Sequence, residues 1–296
     1  MKNIKNLTIS LLLIFLAGTC MSQKKPDPYS PDSGKPIKIK GMQLVWNDEF
    51  NGTGKPDTTF WRYERGFVRN QELQWYQEDN ASCANGVLHI EGRREQVKNP
   101  RYVEGSQRWN TNREYAEYTS ASINTRGKKN WKYGTFLIRA RIDTAMGAWP
   151  AIWTLGISGG WPAGGEIDIM EFYRRGGKPI ILANVAWQGN NRTTKWHTEI
   201  RPLEDFTSKD PDWVSKFHVW KMEWDSLSIK LSLDDLLINN QPVSETVNPD
   251  GRNPFISPQY ILLNLALGAA GGDPSKTEFP VNYEVDYVRI YQTKKK

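Results

Sequence analysis

The run Gly165-Glu166-Ile167-Asp168-Ile169-Met170-Glu171-Phe172-Tyr173 sets three carboxylates among large, apolar, β-prone residues. In a regular strand, side chains alternate between faces. Glu166 and Asp168 therefore point the same way, and Glu171, five residues from Glu166, points the other way. A single extra residue at Ile169 or Met170, a β-bulge, restores the phase and turns all three acids to one face. A chain with this run must either split its acids across a sheet or break the strand to gather them.

Gathered carboxylates repel and raise one another's pKa. Folding gains nothing from that, but catalysis does. Two carboxyl groups about 5–5.5 Å apart form the geometry of glycosidic hydrolysis with retention, one acting as nucleophile and the other as proton donor. The long Glu side chains at the two ends can lean together to reach it. The competing reading is a charged, solvent-facing strand whose acids block edge pairing. The flanks favour chemistry. Gly156, Gly159, Gly160, Gly164 and Gly165 leave room for a ligand to approach the backbone. Trp149, Trp153 and Trp161 offer flat apolar faces and N–H donors of the kind that bind sugars. Of these, Trp153 alternates with Ile152 and is expected in the core.

Residues 1–22 carry Lys2 and Lys5, an apolar run from Ile9 to Ala17 and then small residues, the pattern of a secretory signal. The run is too short for a permanent membrane span. Cleavage after Ser22 frees a soluble chain from Gln23. Ala17-Gly18-Thr19-Cys20 weakly resembles a lipobox, which would leave Cys20 as a lipid anchor. Either reading predicts a secreted, periplasmic or cell-surface protein. Cys83 is then the sole other thiol, so no intrachain disulfide forms and the fold must rest on its core. About 270 residues suffice for one. Cys83 is expected to be a buried small apolar residue.

His89, His197 and His218 show no metal spacing, and there is no G-x-S-x-G elbow. The formal charge of +6 falls to +4 once Lys2 and Lys5 are lost. The basic residues are scattered, which argues against nucleic acid as a partner.

Residues 23–40, rich in Pro, Lys, Ser and Gly, are read as a flexible tether. From Gly41 to Thr293 the pattern is β. The clearest strands are 86–91, 118–125, 133–142, 180–187, 218–224, 228–233, 260–267 and 283–291, with a short helical turn within 203–216. No repeat or second linker interrupts this stretch, so it is one all-β domain, a sandwich or barrel.

The ordered motifs of this stretch resemble glycoside hydrolase family 16, in its laminarinase-like branch. Leu44-Val45-Trp46-Asn47-Asp48-Glu49-Phe50 is similar to the family's opening strand, and Asn70-Gln71-Glu72-Leu73-Gln74-Trp75-Tyr76 to its N-N-E-L-Q-Y-Y segment. Trp149-Pro150-Ala151-Ile152-Trp153, Trp161-Pro162-Ala163-Gly164-Gly165-Glu166, Phe217-His218-Val219-Trp220 and Glu284-Val285-Asp286-Tyr287-Val288-Arg289 follow in the family's order. The resemblance implies a β-jelly-roll sandwich of two curved antiparallel sheets with a concave cleft. It also implies endo-hydrolysis of a β-linked polysaccharide with retention. No cofactor is expected for the chemistry, and the chain is expected to be a monomer.

Residue by residue, the resemblance makes Glu166 the nucleophile, Glu171 the acid/base and Asp168 the group that holds and tunes Glu166. Trp161, Trp149, Asn70 and Glu72 match cleft residues. His218 is a further candidate near the acids, with a satisfied core histidine as its alternative. Asp286 matches a position associated with a structural Ca²⁺, with a strand-end ion pair as its alternative.

Two stretches depart from the family. One, between Gln96 and Tyr118, carries Trp109, and the other, Trp187 to Ile200, carries Trp187 and Trp196. Both are expected to edge the cleft and reshape its subsites. The branch implies a β-1,3- or mixed-linkage glucan as substrate. The departures leave open an endo-β-galactosidase on galactans or host O-glycans. A carbohydrate-binding relative without turnover has no need to keep both Glu166 and Glu171.

Overall fold

Apolar residues at every second position force sheets that bury one face, and two such sheets bury them against each other. The computed structural model describes residues 26–294, so the signal expected at residues 1–22, Cys20 and the first residues of the expected tether lie outside the described residues.

One sheet has eight strands: β1 (Met42–Asp48), β4 (Ala81–Ala84), β5 (Val87–Gly92), β10 (Gly134–Ile142), β15 (His218–Trp224), β16 (Ser228–Leu233), β17 (Leu236–Pro242) and β19 (Val281–Thr293). Its order is β17-β16-β15-β10-β19-β5-β4, with β1 also on β19. The other, the cleft sheet, has seven: β2 (Arg62–Tyr63), β9 (Ser122–Asn124), β11 (Ala148–Gly156), β12 (Glu166–Arg175), β13 (Lys178–Gln188), β14 (Thr194–Pro202) and β18 (Gln259–Leu267). They run β14-β13-β12-β11-β18-β9-β2. Two small ribbons, β3 (Gln74–Tyr76) on β8 (Tyr118–Ser120) and β6 (Val97–Lys98) on β7 (Tyr115–Ala116), brace the loops beside it. This is the expected jelly-roll sandwich. The helical turn expected within 203–216 is Glu204–Thr207, followed by a 3-10 turn at Trp213–Ser215.

The core lies between the sheets. Ile138 and Ile290 face it from one side, and Ile152, Leu263 and Ile167 from the other. Each such side chain contributes about 1.5–3 kcal/mol by leaving water. Trp46, Trp61 and Trp131 cluster within it, with ring centroids 6.1 and 5.0 Å from Trp46. Cys83 is buried, and burial pushes its thiol up to about 12, so it is an inert packing residue.

The segment expected to be a flexible tether is tied down from Asp27 onward. Arg139 and Arg289 are each 1% exposed and need acceptors. Arg139 donates to the carbonyls of Asp27 (2.6 Å) and Ser30 (2.9 Å), and Arg289 pairs with Asp32 at 3.2 Å and with Glu49 at 2.7 Å. Phe217 N–H bonds the Pro28 carbonyl at 2.7 Å. Buried cations thus convert a Pro- and Lys-rich leader into a strap across the eight-stranded sheet.

Candidate active site

The break in β12 is where the sequence demands it. Between Asp168 and Glu171, β12 advances three residues while β13 advances two, from Asn184 to Leu182. Against β11 the register slips between Ile152 and Trp153, which skips Ile169. Ile167, Ile169, Met170 and Phe172 all face the core. Glu166, Glu171 and Tyr173 line a cleft of about 790 Å³ on the opposite face. The bulge has brought the acids into phase.

Each acid is held by named donors. Trp161 Nε1 donates to Glu166 Oε2. Trp149 Nε1 donates to Glu171 Oε1 at 2.8 Å. Asn184 Nδ2 bridges Asp168 Oδ2 and Glu171 Oε2, at 2.9 Å to each. Both oxygens of Glu171 thus accept from fixed side chains, which sets the plane of its carboxyl group. Gly165 lets the chain enter β12 from the Trp161 loop. Its φ is +76°, and a Cβ there would stand 2.8 Å from Pro254 Cβ.

Burial raises all three carboxyls. Glu166 is raised by burial and drawn back by the Trp161 donor, by a hydrogen bond with Asp168 and by the charge of Arg69. Asp168 is raised well above its ordinary value by burial, then by the charges of Glu166 and Glu171. Glu171 is pushed up to about 7, chiefly by burial; the charges of Glu166 and Glu72 raise it further, while the Trp149 and Asn184 donors oppose this. Three acids in one row with separated proton affinities can divide the roles of nucleophile, proton holder and acid/base.

The donors make a prediction. Trp149→Phe removes a hydrogen bond that favours ionised Glu171, so the Glu171 pKa rises. The alkaline limb of the kcat profile is expected to move up by about one pH unit, from the worth of a hydrogen bond to a charged group. An unmoved limb in pH-rate data would separate Trp149 from the acid/base.

The structure places some of the expected cleft residues in the cleft and others elsewhere. Trp161, Trp149 and Asn70 line the cleft. Glu72 is 2% exposed, bonded by Gln74 Nε2 at 2.7 Å, and acts beneath the cleft as a buried charge rather than as a sugar contact. Trp109 packs on Phe67, 6.0 Å between centroids, with Arg113 beside it, so the insert braces the loop around Phe67. Trp187 belongs to the core: β13 turns its odd-numbered residues inward and presents Asn184 to the cleft.

His218 lies on β15 of the other sheet, bonded to Asp234 and the Trp213 carbonyl at 2.9 Å each and stacked on Trp213. It is a satisfied core histidine. Asp286 is paired with Arg139 at 2.5 Å and accepts from Asp32 N–H. A guanidinium already fills the space a cation would take. Among the described residues no cluster of acids, His or Cys is arranged to hold a metal. The residues at Asp286 do not fit calcium.

Two cleft residues, Asn184 and Arg69, went unread in the sequence, and Trp153, expected in the core, is buried but on the cleft face. Asn184 could have been found from the alternation of β13. Trp153 lies on the cleft face, four residues from Trp149, with Nε1 on Asn264 Oδ1 at 2.7 Å. Arg69 sits 5.0 Å from the Trp153 ring centroid and pairs with Glu64, and no spacing rule signals it.

Comparison with known proteins agrees with this geometry. A family model described as glycosyl hydrolases family 16 matches residues 73–289. The chain is 36% identical over 276 residues to a β-glucanase of Rhodothermus marinus, covering 88% of each. A solved structure from work on human gut microbiota expressing endo-acting O-glycanases that initiate mucin breakdown matches with TM-score 0.79 and 34% identity, over 88% of this chain and 94% of that one. The catalytic domain of an endo-1,3-β-glucanase (laminarinase) from Thermotoga petrophila matches with TM-score 0.71 and 31% identity, over 87% and 100%. A family match over most of the sandwich, a relative of this identity and a bulged strand of three acids lead to one conclusion: the chain belongs to glycosyl hydrolase family 16 and is a glycoside hydrolase.

Proposed function

We propose that the protein is an endo-acting glycanase that cleaves a β-linked glycan with retention of configuration, by double displacement. The observation that carries this reading is the bulge at Ile169–Met170, which puts Glu166, Asp168 and Glu171 in one row. Glu166, ionised, attacks the anomeric carbon, while protonated Glu171 gives its proton to the departing glycosidic oxygen. Glu171, now a carboxylate, takes a proton from water, whose oxygen displaces Glu166 and frees the sugar. Asp168, whose burial favours its protonated form, donates to Glu166 and holds it as an anion. No cofactor enters either step. Proton NMR of the first-formed product is expected to show the β-anomer; an α-anomer would sink the mechanism.

Two substrate classes remain in view. A β-1,3- or mixed-linkage β-glucan is supported by the Rhodothermus marinus relative and the laminarinase fold. A galactose-containing O-glycan is supported by one specific observation, the higher TM-score of 0.79 against 0.71 at similar coverage. The sandwich dominates a whole-chain superposition while the loops set the subsites, so mucin O-glycans and β-glucans are tested side by side. Product release from mucin O-glycans, agar-type galactans, laminarin and barley β-glucan separates the two. Binding to a polymer with no product from any of them would turn the protein into a lectin-like relative. The leader predicted for residues 1–22 would make it an exported enzyme, and mass spectrometry of the mature N-terminus distinguishes Gln23 from a lipidated Cys20.

A further inference from the structure

The pairing register sets out a row of side chains across the cleft sheet. Leu155 opposes Glu166, Glu166 opposes Ala186, and Ala186 opposes Trp196. Cross-strand partners share a face. Trp196 therefore stands on the nucleophile's face, two strands away, at a backbone separation of about 10 Å. Ala186, which is fully buried, is the residue between them in the register. Trp196 lines the same cleft as Glu166 and Glu171 and is 47% exposed.

The other cleft indoles are engaged. Trp161 holds Glu166, Trp149 holds Glu171 and packs edge-on to Tyr173, and Trp153 is fixed by Asn264 and Arg69. Among the described residues, Trp196 has no hydrogen bond through its indole nitrogen and no aromatic neighbour. A single exposed aromatic on a surface is ordinary. One aligned with the nucleophile, on the wall of its cleft and with an unoccupied face, has the form of a sugar platform. The strand that carries it is an edge strand, shaped by the turn at Asn190–Arg192 that Gly189 and Thr193 close with a 2.7 Å backbone bond.

We propose that Trp196 is a specificity-determining residue, the stacking surface for a sugar beyond those that flank the cleaved linkage, on the β13–β14 side. The inference rests on the hydrolytic reading above and deepens it: the enzyme prefers glycans long enough to place a ring over this indole. Thr198, the next residue of β14 on the same face, supplies a hydroxyl at the edge of that subsite.

The test is kcat/KM along two oligosaccharide ladders, β-1,3-gluco-oligosaccharides and poly-N-acetyllactosamine oligosaccharides, each from the disaccharide upward. Trp196→Ala is expected to lower kcat/KM about tenfold on long members, the rate equivalent of one stacking contact. The shortest cleaved member should be unaffected, and Trp196→Phe should recover most of the loss. Melting temperatures of both variants report whether the edge strand is intact. A loss equal at every length, or no loss, overturns the inference while leaving hydrolysis standing. A wild type that cleaves neither ladder overturns the functional reading, and this one with it.

Discussion

Glu166→Gln is expected to leave the sandwich folded and lower turnover by about a thousandfold or more, the scale of loss when a group that acts as nucleophile is removed. The amide keeps an oxygen to accept from Trp161 Nε1, so the local hydrogen bond survives. What it lacks is the charge that attacks the anomeric carbon. Burial already penalises that charge, so the variant should melt no lower than the wild type. Initial rates beside a circular dichroism melt decide the matter. Near wild-type turnover would take Glu166 out of the mechanism, and a collapsed melt would assign it a structural role instead.

Glu171→Gln is expected to change stability with opposite sign at acid and alkaline pH. Glu171 titrates near 7 in the folded protein, against 4.5 for an ordinary Glu. Between those values the folded state holds a proton that the unfolded state has released. The stability Glu171 contributes is thus complete below about pH 4.5 and is lost as pH rises toward 7. The ceiling on that loss is about 3 kcal/mol. Glutamine cannot ionise and escapes it. Its amide N–H must face one of two fixed donors, which costs about 1 kcal/mol.

At pH 8 the variant should therefore be the more stable by about 2 kcal/mol, some 5 °C in melting temperature. At pH 4 it should be the less stable. The same variant has no acid/base and should not turn over glycosides. Melts at the two pH values check the crossover. Parallel curves would mean that Glu171 is not held in the buried, donor-fixed state described.

The sequence carried the fold and the centre of the site, for physical reasons that also explain its failures. The bulge was legible because three acids at this spacing have no other way onto one face. The strands at 218–224 and 228–233 were legible from alternation alone, and they coincide with β15 and β16. Trp187 was misassigned, and Trp153, buried as expected, packs on the cleft face and not between the sheets. Period-2 reasoning fixes which residues share a face but not which face is inward, and an error of one residue exchanges core for cleft. Ala186 and Trp196, not Trp187, ended up on the nucleophile's face.

His218 was drawn toward the acids by motif likeness, and its place on the opposite sheet emerges only once the strands are paired. For Asp286 the sequence left calcium and an ion pair both open, because its partner, Arg139, is 147 residues away in sequence. The strap was missed because composition reports what a segment does in isolation. It does not report two distant arginines that require its carbonyls.

That strap has a practical consequence. The stretch matched by the family begins at residue 73, and the first sheet strand begins at Met42. The contacts that tie the chain to this sheet begin earlier than either, at Asp27. A recombinant product started at Gly41 would present the Arg139–Asp286 pair and the Arg289 side chain to water along a newly bared surface. Cloning boundaries drawn from homology alone would cut through the protein's own cover, and lower solubility is the expected outcome of such a cut.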